Sequence, residues 1–514
     1  MAIQPIVSSM RRRRFLAGAV VGGSLLPGCS ALSASETEPE PDSNDRPQFG
    51  VDDADSESNG DDTDEPKPTE RGSPFDEPTV VDFETAPLTA AVVNGRVSTD
   101  DGLSMHLEFA EPATAESPAT LVATVENRRP YEQTFRPRRL LVLDDPASSR
   151  SSDDRNVTVY LAPAADHPLA ETSPGYDRDG GGRWRLETVR DDWFPDLVTL
   201  GAEERVTGEH YLLGDHRRGD EPIEAGRYEF TRRGDGFEIA IWSTDEPGPD
   251  ADSSLADATV PSQPDETDVR WYHDATPETP VFLEPSHESV TAPAKIEFDL
   301  VNHGRESLSG NPYYWRLFKL EGGRWFPIDP WEWPMPAAAV RPGGVDESEL
   351  FVYDGDPAER WGTRTVGHLG GGRYAYTVGY SADDETHAAA FDLEAPPLEV
   401  SVELDIAIDD EGETIVVELP NYEEARRPAT VTVSHAGSDG DFVDLDQRLV
   451  PEQLPRRPFR ALRNSLPLFE NGVETVRVKT DRGTALRRFG YEEDETRTIA
   501  YDGDLFETTG SLEE

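Results

Sequence analysis

The chain has 514 residues, with 103 acidic and 48 basic side chains, which gives a formal charge of -55. A chain this acidic is not expected to bind nucleic acid, because contacts with phosphates need a basic surface. The single cysteine, Cys29, excludes an internal disulfide, so stability has to come from the burial of apolar side chains.

Nearly all the basic residues are arginines, since the whole chain holds only four lysines. An acidic surface with little lysine resembles that of haloarchaeal proteins, which face molar salt. At about 1 M salt the Debye length is only about 3 Å, so repulsion between carboxylates is screened. The alternative is an ordinary acidic protein that binds cations or basic partners. The acidic residues are spread over the whole chain, which favours salt adaptation.

The first 29 residues have the pattern of an export signal. The basic run Arg11, Arg12, Arg13 and Arg14 is followed by Phe15 and Leu16. The apolar run then continues to Leu26 and is about half the roughly 20 residues that a membrane span needs. Basic residues before it and small residues after it indicate a signal peptide.

This segment resembles a twin-arginine export signal that ends in a lipoprotein cleavage box at Cys29. The resemblance implies cleavage before Cys29, lipidation of this residue and anchoring at the extracytoplasmic face of the cell membrane. Pro27 departs from the pattern, because Ala, Ser or Thr is usual at that position. The alternative is a cleaved secretory signal with an incidental cysteine. Met10 is an alternative to Met1 as the first residue of the translated chain.

Changes in composition divide the rest of the chain. Residues 29–78 are rich in acidic residues, Ser and Pro, so they cannot bury enough apolar surface to offset chain entropy and should be disordered. The expected organisation is a signal at 1–28, an acidic tether at 29–78, a first body at 79–244, a linker at 245–268, a second body at 269–395 and a third body at 396–510.

Short segments with alternating apolar and polar residues fill the three bodies. Leu121, Ala123 and Val125 should share one face of a strand, and 296–300 alternates apolar and acidic residues. A period of two indicates half-buried strands, and frequent turn residues between short strands favour β-sandwiches. The fold class is therefore predicted as all-β, with a third sandwich at 396–510 predicted from the strand pattern alone.

Three landmarks recur in the same order in the first and second bodies. They are Asn127 and Asn302 at a strand end, the runs 181–184 and 322–325 with sequence Gly-Gly-Arg-Trp, and the Gly-Arg-Tyr runs that begin at Gly226 and Gly372. This order resembles a bacterial and archaeal immunoglobulin-like domain that is also seen in the intracellular proteinase inhibitor group. The resemblance implies tandem immunoglobulin-like β-sandwiches and says little about function, because this fold has many roles.

The sequence suggests no catalytic constellation, no cofactor and no metal centre. His210 and His216, with Asp215 between them, could reach one metal ion from a turn, although ordinary polar residues at a strand end are the alternative. Residues 55–60 imitate the start of a calcium loop, but Pro66 stands where the bidentate Glu belongs. We interpret that stretch as a solvated run of charges.

An aromatic cluster in the second body is the main candidate surface. The cluster extends from Tyr313 to Trp333, and its candidate surface residues are Trp315, Trp331 and Trp333. The last two lie in the proline-rich segment 327–336, which should be a loop. One interpretation is a lid over the end of the core. The other is a platform for a glycan or a protein partner, since aromatic residues are enriched at binding hot spots. Asn156 begins the only glycosylation sequon.

Together these features predict a membrane-anchored surface lipoprotein of a halophilic archaeon with a non-catalytic binding or structural role. Its expected partners are the membrane, through the lipid, and a surface protein or glycan. The alternatives are a solute- or glycan-binding lipoprotein, an extracytoplasmic protease inhibitor, and an enzyme that uses carboxylates alone.

Overall fold

The structure is a computed structural model in which most of the three bodies can be described. The described residues are 79–144, 146–150, 157–180, 182–190, 192–216, 223–232, 235–256, 268–358, 363–381, 385–420, 422–438, 445–470, 472–487 and 495–512. The fold is all-β, as predicted. The alternating segments form strands as expected: Leu121, Ala123 and Val125 are buried on one face, as are Ile296, Phe298 and Leu300.

The first body is built from two main sheets around one core. Its strands are β1 Val80–Asp82, β2 Leu88–Val93, β3 Arg96–Ser98, β4 Leu103–Glu111, β5 Ala119–Asn127, β6 Gln133–Phe135, β7 Ala147–Arg150, β8 Thr158–Pro163, β9 Tyr176–Arg178, β10 Trp184–Leu186, β11 Val198–Leu200, β12 Arg205–Gly214, β13 Gly226–Arg232 and β14 Asp235–Ser243. One sheet has the order β1-β2-β14-β13. The other has the order β3-β4-β5-β12-β10-β9, with β8 paired to β12 and β7 paired to β8. Two 3-10 turns follow at Pro137–Arg139 and Leu141–Leu143, and the second adds Leu141, Val142 and Leu143 to the core.

The second body is a sandwich of two sheets with immunoglobulin-like strand order. Its strands are β15 Val269–Trp271, β16 Val281–Pro285, β17 Ser289–Thr291, β18 Ala294–Asn302, β19 Leu308–Glu321, β20 Arg324–Asp329, β21 Ala338–Val340, β22 Val345–Val352, β23 Arg364–Val366, β24 Gly372–Ser381 and β25 Thr386–Glu394. A 3-10 turn spans Tyr272–Asp274. One sheet has the order β16-β18-β22-β23, and the other has the order β15-β25-β24-β19-β20, with β17 attached to β25 and β21 to β19. Strands β16-β18-β22 and β25-β24-β19 face each other across the core and correspond to the A-B-E and G-F-C strands of immunoglobulin domains.

Two of the three repeated landmarks occupy equivalent places in the first two bodies. Asn127 and Asn302 are fully buried, and each side-chain amide donates at 2.8 Å to the carbonyl four residues later. Each side-chain oxygen also accepts the backbone N–H two residues later. Tyr228 and Tyr374 each donate a hydroxyl hydrogen bond to the carbonyl four residues earlier. The latter contact is the tyrosine corner of immunoglobulin-like sandwiches.

The third landmark is not structurally equivalent, so this part of the predicted repeat is wrong. Trp184 lies on β10, which runs parallel to β12, and its indole N–H donates to the Thr114 carbonyl at 3.0 Å. Trp325 lies on β20, which forms a hairpin with β19. This hairpin belongs to the sheet that carries the corner Tyr374, whereas β10 belongs to the sheet that carries Asn127. The same sequence can enter either strand because a turn precedes both: Gly182 donates its backbone N–H to the Asp179 carbonyl, and Gly322 and Gly323 form the turn between β19 and β20.

The third body differs from the expected third sandwich, because its described strands form one sheet. They are β26 Ala407–Asp410, β27 Thr414–Glu418, β28 Pro428–Ser438, β29 Gln447–Arg448, β30 Thr475–Asp481, β31 Thr496–Tyr501 and β32 Asp504–Leu512, in the order β26-β27-β30-β28-β32-β31-β29. The helical segments are 3-10 turns Pro451–Gln453, Arg457–Phe459 and Leu466–Leu468, helix α1 Arg460–Arg463 and helix α2 Arg482–Arg487. Phe459, Leu462 and Leu466 from these turns pack on the sheet, so short helical elements take the place of a second sheet.

The bodies contact one another through buried groups. Trp242 of the first body stacks on His303 of the second, with ring centroids 5.2 Å apart and planes within 5°. Lys319 of the second body pairs with Glu452 of the third, and both side chains are almost completely buried.

The described part of the segment expected to be a linker, 245–256, lies against the second body. Gly248 donates its backbone N–H to the Pro277 carbonyl at 2.7 Å. Leu255 is buried in an apolar cluster with Trp271, Phe318 and Trp325.

Candidate functional site

The second body carries a groove at the end of its β25-β24-β19-β20 sheet. Its volume is about 520 Å³, and its aromatic walls include both tryptophans of the segment 327–336. The residues that line it are Asn311, Tyr314, Trp331, Glu332, Trp333, Met335, Val378, Gly379, Tyr380, Ser381, Glu385 and Thr386. The loop and strand β19 form one side, and strands β24 and β25 form the other.

Trp333 is fixed by a stack of three side chains. Its ring meets that of Tyr314 edge-on with centroids 4.6 Å apart. The Arg316 guanidinium lies 5.4 Å from the Tyr314 ring and 5.5 Å from the Trp333 ring, a cation–π distance. Gly379 makes room for this stack, because a Cβ there would lie 2.5 Å from the Tyr314 Cβ. A side chain at position 379 would therefore displace one wall of the groove.

Trp331 forms a second wall and remains accessible, with 37% of its surface exposed. Its indole N–H donates to the Ile328 carbonyl at 3.0 Å, which holds the ring against its own loop. The ring of Phe459 in the third body packs edge-on against it at 5.2 Å. Met335 is 88% exposed at the rim.

The polar groups of the groove are mostly engaged by the protein. The Asn311 amide donates to the Pro334 carbonyl at 2.6 Å and thereby ties the loop to β19. Glu385 accepts from Arg270 at 2.6 Å, and this hydrogen bond lowers the pKa of the carboxyl group. Burial and the neighbouring Asp346 raise the pKa of Tyr380 to about 12, so its hydroxyl stays protonated.

Ser381 adds a buried hydroxyl to the lining of the groove. Within the described part of the chain, its oxygen has no hydrogen-bond partner. None of the described lining residues carries a positive charge, although Arg316 and Arg270 adjoin the lining through Trp333 and Glu385. The groove therefore combines aromatic surfaces with neutral and acidic polar groups.

Trp315 is a core residue and does not belong to this surface, contrary to the sequence-based interpretation. Only 8% of it is exposed, and its ring stacks on Tyr376 at 5.9 Å. Trp315 and Leu317 point from β19 into the sandwich, whereas Tyr314 and Arg316 point to the groove side. Alternation along one strand separates neighbours that look like one cluster in the sequence.

Sequence reasoning identified Trp331 and Trp333 but missed the opposite side of the groove. Tyr380, Ser381 and Glu385 come from the β24–β25 hairpin, which pairing with β19 brings next to the loop. The strand order could have indicated this side of the groove. In immunoglobulin-like domains, the strand that carries the corner tyrosine pairs with the strand that carries the core tryptophan.

The structure does not bring His210 and His216 together. His210 is completely buried and meets the His167 ring at 4.7 Å, whereas the side chain of His216 contacts Asp215 at 2.9 Å. Across the described residues, no group of three or more potential ligands is placed to hold a metal ion.

Several predicted sites lie outside the described residues. They are the export motif from Arg11 to Leu16, the lipidation site Cys29, the run 55–60 and the sequon at Asn156. Where the structure can be described, it contains no helix both long and apolar enough to cross a membrane.

No protein-family model matches the chain, and no curated protein matches its sequence.

Proposed function

We propose that this chain is an exported surface lipoprotein, anchored through Cys29, that binds a ligand without catalysis. The arginine motif and the cysteine of the cleavage box support the location. The acidic composition supports a salt-rich environment outside the cell. The aromatic groove of the second body is the proposed binding site.

One observation carries the binding proposal: two tryptophans and two tyrosines line a single concavity of about 520 Å³. Sites for small ligands typically enclose about 300–1,000 Å³ and combine apolar walls with a few polar groups. Stable protein interfaces are instead extended surfaces, in which each partner buries about 800 Å². The concave shape therefore favours a small or chain-like ligand over a flat protein surface.

The chemistry of the lining favours a neutral saccharide. A sugar ring has an apolar C–H face that can stack on the exposed ring of Trp331, and hydroxyl groups that can donate to the carboxylate of Glu332. The described lining residues include no positive side chain, and the two arginines that adjoin them are engaged, Arg270 with Glu385 and Arg316 with the rings of Tyr314 and Trp333. An anionic ligand is therefore not favoured. In molar salt, attraction between charges is screened, whereas stacking and short hydrogen bonds persist.

A saccharide-binding experiment with variants of the groove tests the proposal. A panel of neutral oligosaccharides is titrated by calorimetry into the protein in molar KCl. Trp331→Ala and Trp333→Ala should each weaken the affinity by about tenfold or more, which corresponds to about 1.4 kcal/mol. Tyr131→Ala, at an exposed aromatic residue of the first body, serves as the matched control and should bind as the wild type does.

The opposite result would be a wild-type protein that binds no saccharide while cross-links on intact cells join residues 331–335 to one surface protein. That result would replace the saccharide with a protein partner.

The location is tested separately by Cys29→Ser, which should release the protein from membranes into the medium. Unchanged membrane association of this variant would contradict anchoring through Cys29.

A further inference from the structure

The third body grips the loop that carries both groove tryptophans. Residues 327–329 of the segment expected to be a loop belong to β20, and the loop itself begins at Pro330. Gln453, which is completely buried, donates its side-chain amide at 3.0 Å to the Pro327 carbonyl on β20, three residues before this loop. The Phe459 ring, also completely buried, packs edge-on against Trp331 at 5.2 Å. The tryptophan wall of the groove therefore rests on residues more than 120 positions later in the chain.

The segment that makes these contacts, 451–463, is also bound to the second body through buried charged groups. Glu452 pairs with Lys319 and also accepts the backbone N–H of Gly370 at 3.1 Å. Arg456 donates to the Gly367 carbonyl at 2.6 Å and to the Glu452 carbonyl at 3.1 Å. Buried charge-assisted contacts hold their partners in one geometry, because any other arrangement leaves a charge without its compensating group.

We propose that the segment 451–463 is a brace that positions the groove, and that Phe459 is a positioning residue for Trp331. A ring held on one side by its own loop and on the other by Phe459 has one packed orientation. Without the Phe459 ring, Trp331 gains rotational freedom that a ligand would have to remove on binding. The effect on binding rests on the function proposed above, whereas the effect on Trp331 does not.

Fluorine NMR of the full chain tests the brace without a ligand. The nine tryptophans are replaced with 5-fluorotryptophan, and the resonance of position 331 is assigned from its absence in Trp331→Phe. In Phe459→Leu, this resonance should shift and broaden while the resonances of the other tryptophans stay in place. Val431→Ala, a core truncation on β28 of the third body, is the matched control and should leave it unchanged.

Two results would overturn the brace. One is an unchanged resonance of Trp331 in Phe459→Leu. The other is an equal change in Val431→Ala, which would indicate general loosening of the third body. Gln453→Ala provides a second variant if Phe459→Leu does not fold. It should also move the Trp331 resonance, because it removes the hydrogen bond to the β20 strand end from which the loop begins.

Saccharide titration then separates the two proposals. If the wild type binds a neutral oligosaccharide, Phe459→Leu should weaken binding by about fivefold to tenfold, and Val431→Ala should not. If the wild type binds none, the proposed function fails, while the NMR result still decides whether the brace exists.

Discussion

Phe298 and Tyr376 stack across the core of the second body with ring centroids 4.2 Å apart. Phe298 lies on β18 and Tyr376 on β24, two residues after the corner Tyr374. Antibody domains place the second cysteine of their inter-sheet disulfide two residues after that corner tyrosine, and the disulfide joins these same two strands. In this single-cysteine chain, an aromatic pair joins the sheets at that position, with Trp315 packed beside it.

Phe298→Ala tests how much this pair contributes to stability. Loss of a fully buried Phe side chain typically lowers the free energy of unfolding by about 3–5 kcal/mol, because a cavity remains. We expect a loss in that range by urea unfolding in molar KCl, which avoids an ionic denaturant. Leu404→Ala, at a completely exposed side chain, is the control and should change stability by less than about 0.5 kcal/mol. A loss below about 1 kcal/mol for Phe298→Ala would show that the pair is not central to the core.

The Lys319–Glu452 pair should couple the second and third bodies. Only 8% of the Lys319 side chain and 1% of the Glu452 side chain are exposed. Glu452→Ala leaves Lys319 as a buried charge without its partner, so we expect a loss of about 3–5 kcal/mol in urea unfolding. Lys319→Met with Glu452→Leu removes both charges and should cost much less than Glu452→Ala alone.

The more exposed counterpart is Lys295, whose ammonium group lies 2.5 Å from Glu297 and 2.8 Å from Glu349. Lys295→Ala should cost no more than about 1 kcal/mol, because solvent screens an exposed pair. Equal losses in Lys295→Ala and Glu452→Ala would mean that burial of the Lys319–Glu452 pair has no energetic consequence.

The strand pattern and the immunoglobulin-like order of the second body could be predicted because both depend on local alternation and on landmarks at strand ends. Trp184 could not be placed, since the same Gly-Gly-Arg-Trp sequence enters two different sheets. The groove was half predicted: Trp331 and Trp333 were found from composition, whereas Ser381 and Glu385 depend on strand pairing over about 50 residues. The brace through Phe459 depends on how two bodies pack, which no local pattern encodes.

The first body should lose stability in mild acid because of two adjoining histidines. Burial lowers the pKa of His210 to about 3 and that of His167 to about 4, from 6.5 for the unfolded chain. Between pH 6.5 and about 4 the unfolded chain binds protons that the folded chain does not. The free energy of unfolding therefore falls as pH falls, by up to about 1.4 kcal/mol per pH unit for each histidine. Above pH 6.5 both states hold neutral histidines and this contribution is constant.

His210→Leu isolates this effect from the titration of the many carboxylates. The wild type and the variant are unfolded with urea at several values between pH 4 and pH 8, in the same molar salt. The difference between their free energies of unfolding should be constant above pH 6.5 and should shift in favour of the variant at lower pH. A difference that does not vary with pH would contradict the role of His210.

Asp299 should make folding of the second body depend on salt. Its register partners are Glu284 on β16 and Glu347 on β22, so three carboxylates lie in line across three strands. Like charges directly opposite one another on neighbouring strands are destabilising. Asp299→Asn should therefore raise the free energy of unfolding at low salt, and the gain should shrink as salt rises towards about 1 M, where the Debye length is about 3 Å.

Urea unfolding at a series of KCl concentrations measures this dependence. Asp410→Asn, at an exposed carboxylate on the edge strand β26, is the control and should show a much smaller dependence on salt. A gain for Asp299→Asn that is the same at all salt concentrations would point to hydrogen bonding rather than charge repulsion. A wild-type protein that keeps its full β-sheet circular dichroism at 0.1 M salt would contradict salt adaptation of the surface as a whole.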